Sequence, residues 1–282
     1  MKLGNRSLFK RLKEYFNDVF IAKNSSVKFV FVGKGGVGKT TLCSLLATAL
    51  DQEGYKVLAI DANPDAHLAQ FLGVHTLQSI AEEHYFMNAI LDGHDCVLRH
   101  TFTPKDFIET VIERFGVSWG TQSKVISLGS GKYGGIECFF SEKSALWSMI
   151  RSVSKKNYDV ILIDTESGLE PLRQGFGSNI DILVTLFQSN QRSIHMAKDA
   201  KVLAQGVAIE HVVRVLSGYH NEVEATKVED ALGEQIDFKF PYLDSINQSS
   251  IEGSLVTLDS LWQKSMRNFA LDLYSLGAKT VA

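Results

Sequence analysis

Proline and cysteine are scarce in this chain, which has four of the first and three of the second among 282 residues. So few prolines, without a low-complexity tract, argue against long disordered linkers. Three irregularly spaced cysteines argue against a disulfide framework and predict a reduced, cytoplasmic protein. No apolar run is long enough for a membrane-spanning helix. The net charge of −3 gives no general attraction to nucleic acid or to anionic membranes.

The most informative motif is a glycine-rich loop. Residues 33–40 have the sequence GKGGVGKT, a complete phosphate-binding loop between a strand-like and a helix-like run. Glycines let backbone N–H groups face phosphate oxygens, and the following helix adds the positive end of its dipole. We expect Lys39 to reach the β- and γ-phosphates of ATP, and the Thr40 hydroxyl to ligate Mg²⁺. The predicted nucleotide-binding residues of this loop are Gly33, Lys34, Gly35, Gly36, Val37, Gly38, Lys39, Thr40 and Thr41.

Aspartates stand at the ends of two other strand-like runs. Asp164 follows VILI at residues 160–163, and Asp61 follows an apolar run that ends at residue 60. Ligands bind at the carboxyl ends of strands in open α/β sheets, so both carboxylates are predicted to lie near one Mg²⁺ ion. We expect Gly168 to offer its N–H to the γ-phosphate and so to distinguish ATP from ADP. The alternatives are that Asp164 only caps a turn, and that Asn63 or Asp65, in the stretch after Asp61, only initiates the turn at Pro64.

Short runs rich in Val, Ile, Leu and Phe alternate with helix-like segments. Such apolar runs fit strands buried on both faces of a sheet. The predicted strands are Val27–Val32, Lys56–Ile60, Lys124–Leu128, Asp159–Ile163, Ile182–Phe187 and His211–Leu216. The predicted helices are Thr40–Glu53, Ser144–Ser154, Arg192–Gln205 and Asn221–Leu232. The alternation predicts an α/β fold, a doubly wound and mostly parallel sheet with helices on both faces, in one domain over residues 27–282.

Residues 1–26 are predicted to form a separate amphipathic helical extension. Within residues 1–23 there are six basic side chains and two acidic ones, so the segment is positively charged. Packing on the domain, docking to a partner and peripheral association with a membrane surface all fit this pattern. The apolar residues on one helical face are Leu8, Phe9, Leu12, Phe16, Val19 and Phe20.

The glycine-rich loop resembles the deviant phosphate-binding loop of the MinD/ParA/NifH group of dimeric ATPases, because Lys34 follows its first glycine. That resemblance implies that ATP brings two subunits face to face, with Lys34 of each reaching the partner's nucleotide. Other stretches resemble the CooC-type ATPases, which help to insert nickel into carbon monoxide dehydrogenase. These stretches are DxxPD at residues 61–65, DxxxGxE at 164–170, GGxxC at 134–138 and FPY at 240–242.

The resemblance covers residues 27–254 and implies an ATP-hydrolysing homodimer that matures a metalloenzyme client. The catalytic residues are then Lys34, Lys39, Asp61, Asn63 and Asp65, and the Mg²⁺ ligands are Thr40, Asp61 and Asp164. The family pattern Cys-x-Cys joins four thiolates around one metal in the dimer. Here Cys138 matches the first cysteine and Phe140 replaces the second, which leaves too few thiolates for a closed Zn or Ni site. Cys138 remains the candidate transition-metal ligand.

Two further positions depart from the CooC-type pattern. Asn63 stands where the family usually has the aspartate that positions the attacking water. Because an amide cannot accept a proton from water, we expect slow hydrolysis unless Asp65 substitutes. Residues 217–218 are Ser-Gly where the family often has an adenine-binding asparagine. Adenine recognition is then expected from the backbone around Pro241 and Tyr242.

A second function class is a nucleotide-switched positioning or scaffold protein of the MinD/ParA kind. Three features favour it: the basic N-terminal segment, Phe140 and Asn63. In this interpretation the protein acts by binding, and metal handling and ATP turnover matter less. A third possibility is a paralogue that binds ATP as a stable structural dimer. A nucleic-acid partner is not expected, because no basic stripe with a groove-binding helix follows residue 23.

Overall fold

A computed structural model describes residues 26–63, 66–75, 78–80, 104–129, 157–173, 180–252 and 254–280. The strands are β1 Val27–Gly33, β2 Val57–Ala62, β3 Val117–Trp119, β4 Ser123–Ser127, β5 Val160–Thr165, β6 Ile182–Phe187, β7 His211–Tyr219 and β8 Phe238–Pro241. The helices are α1 Lys39–Gln52, α2 Leu68–Phe71, α3 Pro104–Phe115, α4 Glu170–Arg173, α5 Gln191–Gly206, α6 Glu222–Leu232, α7 Asp244–Glu252 and α8 Ser260–Thr280.

The eight strands form one sheet in the order β3-β4-β2-β5-β1-β6-β7-β8. Neighbouring strands are parallel except for β3 and β4, which form an antiparallel pair at one edge. The predicted α/β fold with a mostly parallel sheet is therefore confirmed. The carboxyl ends of the parallel strands meet at one edge of the sheet, where ligands bind in this architecture.

Both faces of the sheet are covered, which explains why its central strands are apolar throughout. All seven residues of β1 are buried. Phe29 and Phe31 face the core that contains α1 and α8, whereas Val30 and Val32 face the core that contains α3 and α5. This alternation is the period of two that a strand imposes on its side chains.

The six predicted strands are confirmed, with bounds that differ by at most a few residues. Three predicted helices are also confirmed as α1, α5 and α6, and Asn221 is the N-cap of α6 rather than its first residue. The predicted helix at 144–154 and the extension at 1–26 lie outside the described residues, apart from Ser26. The antiparallel β3–β4 pair, β8, α3, α7 and α8 were not predicted. None of the helices in the described part is long and apolar enough to cross a bilayer.

Candidate functional site

The glycine-rich loop connects β1 to α1 in the way that its sequence predicts. Gly38 is the N-cap of α1 with φ 92°, a left-handed conformation that favours glycine. A Cβ on Gly33 would lie 2.6 Å from the Leu186 carbonyl oxygen and 2.8 Å from a methyl carbon of Val37. Real Cβ contacts are not this short, so only glycine allows β1 to enter the loop beside β6.

Lys39, the first residue of α1, is folded back onto the loop. Its ammonium group donates to the carbonyl oxygens of Gly33 and Lys34, both at 3.1 Å. The residue is only 7 % exposed. Burial lowers the pKa of Lys39, and the nearby Asp164 opposes this shift. The side chain therefore brings a poorly solvated positive charge to the phosphate-binding loop.

Thr40 and Asp164 form an oxygen pair beside this lysine. The Thr40 hydroxyl donates to Asp164 Oδ2 at 2.6 Å. The other carboxyl oxygen, Oδ1, is buried and has no hydrogen-bond partner among the described residues. Burial raises the pKa of Asp164 to about 7, and the charge of Asp61 adds to the shift. Hydroxyl and carboxylate oxygens are the ligands that Mg²⁺ prefers, so the side chains present fit this ion.

Asp61 lies directly beside Asp164, because the two are register partners on β2 and β5. Both are fully buried. Asp61 Oδ1 accepts the Asn63 N–H at 3.1 Å, and Oδ2 accepts the Leu68 N–H at 2.8 Å. Its carboxylate is thus hydrogen-bonded to the backbone of the segment that follows β2. Asp61 holds this segment in place, while Asp164 has an oxygen without a partner in the described chain.

Gly168 was expected to offer its N–H to a γ-phosphate. In the structure this N–H donates to the Gly33 carbonyl oxygen at 2.9 Å. The Lys39 ammonium donates to the same oxygen. Both groups expected to bind the γ-phosphate therefore donate to one backbone oxygen. The Gly168 N–H must leave this oxygen to bind a phosphate, whereas the Lys39 ammonium has three N–H donors and only two acceptors here.

The loop opens into a cleft of about 920 Å³ that extends towards β7, β8 and α7. Pro241 and Tyr242 line it, as predicted for the base-binding end. The Tyr242 N–H donates to the Tyr219 carbonyl at 2.9 Å, which fixes this wall against β7. The cleft also contains polar residues that were not predicted as site residues, among them His67, Gln70, Gln188 and Asn247. Of these, Gln188 could have been identified from the sequence, because it directly follows an apolar strand, as Asp164 follows the apolar residues 160–163.

The structure brings together most of the predicted site residues, but not all of them. The lining of the cleft includes Gly35, Gly36, Val37, Gly38, Lys39, Thr40, Thr41 and Asn63. Lys34 is half-buried, is not among the residues that line the cleft, and makes no ion pair with another described residue. Asp65 and Cys138 lie outside the described residues. Within the described ranges, no group of three or more His, Cys, Asp or Glu side chains could hold a metal ion.

The raised pKa of Asp164 predicts a pH-dependent stability. The unfolded chain ionises this carboxyl near pH 4, whereas the folded protein keeps its proton up to about pH 7. Stability should therefore fall as pH rises through this window and then level off. We expect Asp164→Asn to be more stable than wild type by about 4 kcal/mol at pH 8 but not at pH 4. Urea unfolding without nucleotide or Mg²⁺ measures this difference, and parallel pH curves would contradict the prediction.

Comparison with known proteins identifies which class of phosphate-binding loop this is. Residues 28–254 match a domain family described as the CobQ/CobB/MinD/ParA nucleotide binding domain. The chain belongs to this family. Its fold, its phosphate-binding loop and its family membership make the protein an ATPase of the CobQ/CobB/MinD/ParA type.

Related proteins can be aligned with most of this chain. The carbon monoxide dehydrogenase accessory protein CooC of Rhodospirillum rubrum is 28% identical over 240 residues, which are 83% of this chain and 90% of CooC. A ParA family ATPase from Chlorobium tepidum has a similar fold, with a TM-score of 0.66 and 20% identity over 89% of this chain and 99% of its own. MinD from Pyrococcus horikoshii, in complex with Mg-ADP, gives a TM-score of 0.57 at 19% identity, over 89% of this chain and 94% of its own.

Proposed function

We propose that this protein, with its MinD/ParA-type ATPase domain over residues 27–282, acts as a homodimeric maturation factor for a metalloenzyme client. The similarity to CooC carries the proposal, because it extends over nine tenths of that accessory protein. Insertion of a nickel ion is the form of maturation that this similarity favours. The nickel is then cargo that passes to the client and does not belong to the ATPase site.

The geometry of the loop supports a division of roles at the ATPase site. Thr40 and Asp164 would hold Mg²⁺, which neutralises phosphate charge when bound. Lys39 would bind the β- and γ-phosphates, since its ammonium lies within the loop. Asp61 would fix the segment that carries Asn63 at the cleft. These roles lower the barrier to phosphoryl transfer by positioning and electrostatics rather than by covalent chemistry.

Reconstitution tests the client assignment directly. The measurement is the activation of nickel-free carbon monoxide dehydrogenase by limiting Ni²⁺, with the protein and Mg-ATP or Mg-ADP. The proposal expects activation that needs Mg-ATP and is lost in Lys39→Met. Intact ATP hydrolysis without any activation of the client would contradict the assignment, while the ATPase activity itself would stand.

Replacing Lys34 tests the dimer. With Mg-ATP, the wild type is expected to have twice the mass that it has with Mg-ADP, because each Lys34 would add a positive charge to the partner's phosphates. Lys34→Ala should remain a monomer with either nucleotide while it still binds ATP. Light scattering gives the mass, and Lys227→Ala, an exposed lysine on α6, is the matched control. Equal masses for wild type with both nucleotides would contradict a nucleotide-dependent dimer.

Replacing Asn63 tests the slow-hydrolysis hypothesis. Asn63 lines the cleft, and its backbone N–H is held by Asp61. A carboxylate there can accept a proton from an attacking water, so Asn63→Asp is expected to raise turnover about tenfold at unchanged ATP affinity. Steady-state release of phosphate measures the turnover. Equal or lower turnover in the variant would show that another group already serves this purpose.

A nucleotide-switched positioning protein is the second candidate. The positive, amphipathic pattern of residues 1–23 favours it, because such segments bind anionic lipid surfaces. Flotation with vesicles of anionic lipid distinguishes the candidates. Binding with Mg-ATP but not with Mg-ADP would favour positioning, and the absence of vesicle binding with either nucleotide would favour the maturation factor.

A further inference from the structure

Gln188 is a polar residue of the cleft whose side-chain amide has no partner in the described part of the chain. It directly follows β6, is half-buried and lines the cleft. No hydrogen bond joins its side-chain amide to another described residue. Its Nε2 lies 3.9 Å from the position that a Cβ on Gly218 would occupy. The amide donor and acceptor are thus available to a ligand in the cleft.

The backbone of Gln188 is held firmly, which fixes the root of this side chain. Its N–H donates to the Ser193 hydroxyl at 3.2 Å, and its carbonyl accepts the Asn190 N–H at 2.8 Å. Asn190 also caps α5 by accepting the Ser193 N–H at 3.0 Å. This turn fixes where the side chain starts, although its own torsions would still be ordered when it binds a ligand.

The position of Gln188 within the cleft indicates which part of a nucleotide it would contact. The Ser217 hydroxyl lies 3.4 Å from the position of a Cβ on Gly38, so the end of β7 adjoins the phosphate-binding loop. Gly218, Gln188 and Tyr242 also line the cleft, and the Tyr242 ring packs against the His220 ring with centroids 5.4 Å apart. A nucleotide with its phosphates on the loop would extend its base along this side.

The geometry points to Gln188 as the residue that recognises the 6-amino edge of adenine, an inference that rests on the proposed ATP-binding function. A glutamine amide can accept from the N6 amino group and donate to N7 at the same time. Guanine presents acceptors at both O6 and N7, so the amide oxygen would face another acceptor. Gly218 contributes by the absence of a side chain, which leaves space beside the amide.

A double comparison tests this inference, with a change in the protein and a matching change in the ligand. The variant is Gln188→Met, which keeps the length of the side chain but removes both hydrogen-bonding groups. The ligands are ATP, GTP and purine riboside triphosphate, which lacks the 6-amino group. Affinities are measured by calorimetry with Mg²⁺, and Gln205→Ala, at an exposed position on α5, is the control.

Wild type is expected to bind ATP about tenfold more tightly than purine riboside triphosphate or GTP. Gln188→Met should bind ATP about tenfold more weakly than wild type and bind the other two with little change, so that the preference disappears. A variant that keeps the wild-type preference, or that loses affinity equally for all three triphosphates, would overturn the inference. Wild type that binds no triphosphate would instead overturn the proposed function on which it rests.

Discussion

Replacing Lys39 with methionine is expected to weaken the binding of Mg-ATP about 100-fold and to lower turnover by a further factor of about 100. The ammonium lies within the loop and donates to two carbonyl oxygens, of Gly33 and Lys34. In the ATP complex these bonds would be exchanged for shorter, charge-assisted bonds to phosphate oxygens. Methionine fills the space of the aliphatic stem but has no charge and no N–H donor.

Calorimetry and single-turnover hydrolysis measure the two effects separately. Lys34→Ala is the control for affinity alone, because its lysine belongs to the same loop but should affect the dimer and its turnover, not the affinity of the isolated subunit. Circular dichroism of Lys39→Met establishes that the fold is intact. A variant that binds Mg-ATP within a factor of three of wild type would contradict the role that the structure supports for this lysine.

Gly277→Ala is expected to destabilise the fold by about 2 kcal/mol, because α8 packs directly against the start of β1. A Cβ on Gly277 would lie 2.1 Å from Val27 Cγ1 and 3.3 Å from Ile182 Cδ1. Both of these side chains are fully buried and have little room to move. The helix α8 would have to shift away from the sheet, and the packing between α8 and β1 would be lost in part.

Gly206→Ala provides the matched comparison for this substitution. Gly206 is the last residue of α5, and nothing lies within 4 Å of the position of an added Cβ. Alanine favours helix more than glycine does, so this variant should gain up to about 0.5 kcal/mol. Urea unfolding of both variants gives the two free energies. Similar stabilities for the two alanine variants would contradict the close packing of α8 on β1.

The sequence predicts the central sheet well because each of its strands is buried on both faces. β6 has the predicted bounds, and all six of its residues are buried. The edge hairpin is different. β3 has three residues, of which only Trp119 is buried, so its apolar signal is too short to recognise. The helix α8 was not predicted, although its sequence has the spacing of an amphipathic helix. Its buried residues 266, 269, 270, 273, 274, 277 and 278 recur at helical spacing.

The candidate site likewise has parts that follow from the sequence and parts that do not. The phosphate-binding loop is contiguous, and Asp164 is identified by its place after an apolar strand, so both follow from the sequence. The bond from the Gly168 N–H to the Gly33 carbonyl joins segments that are distant along the chain and depends on the folded sheet. The place of Gln188 beside Gly218 depends on the neighbouring β6 and β7, which pair in register. Such contacts need the three-dimensional arrangement.

The packing of α8 against Val27 also determines where fusions and labels can be attached. β1 begins at the edge of the sheet opposite the cleft, and its seven residues span about 20 Å. The last turns of α8 lie beside that starting point. A fluorophore or affinity tag joined after residue 280 would thus sit close to the place where residues 1–25 connect to the domain. A dye after residue 280, paired with a second dye within residues 1–25, would report on the N-terminal segment while leaving the nucleotide cleft unobstructed.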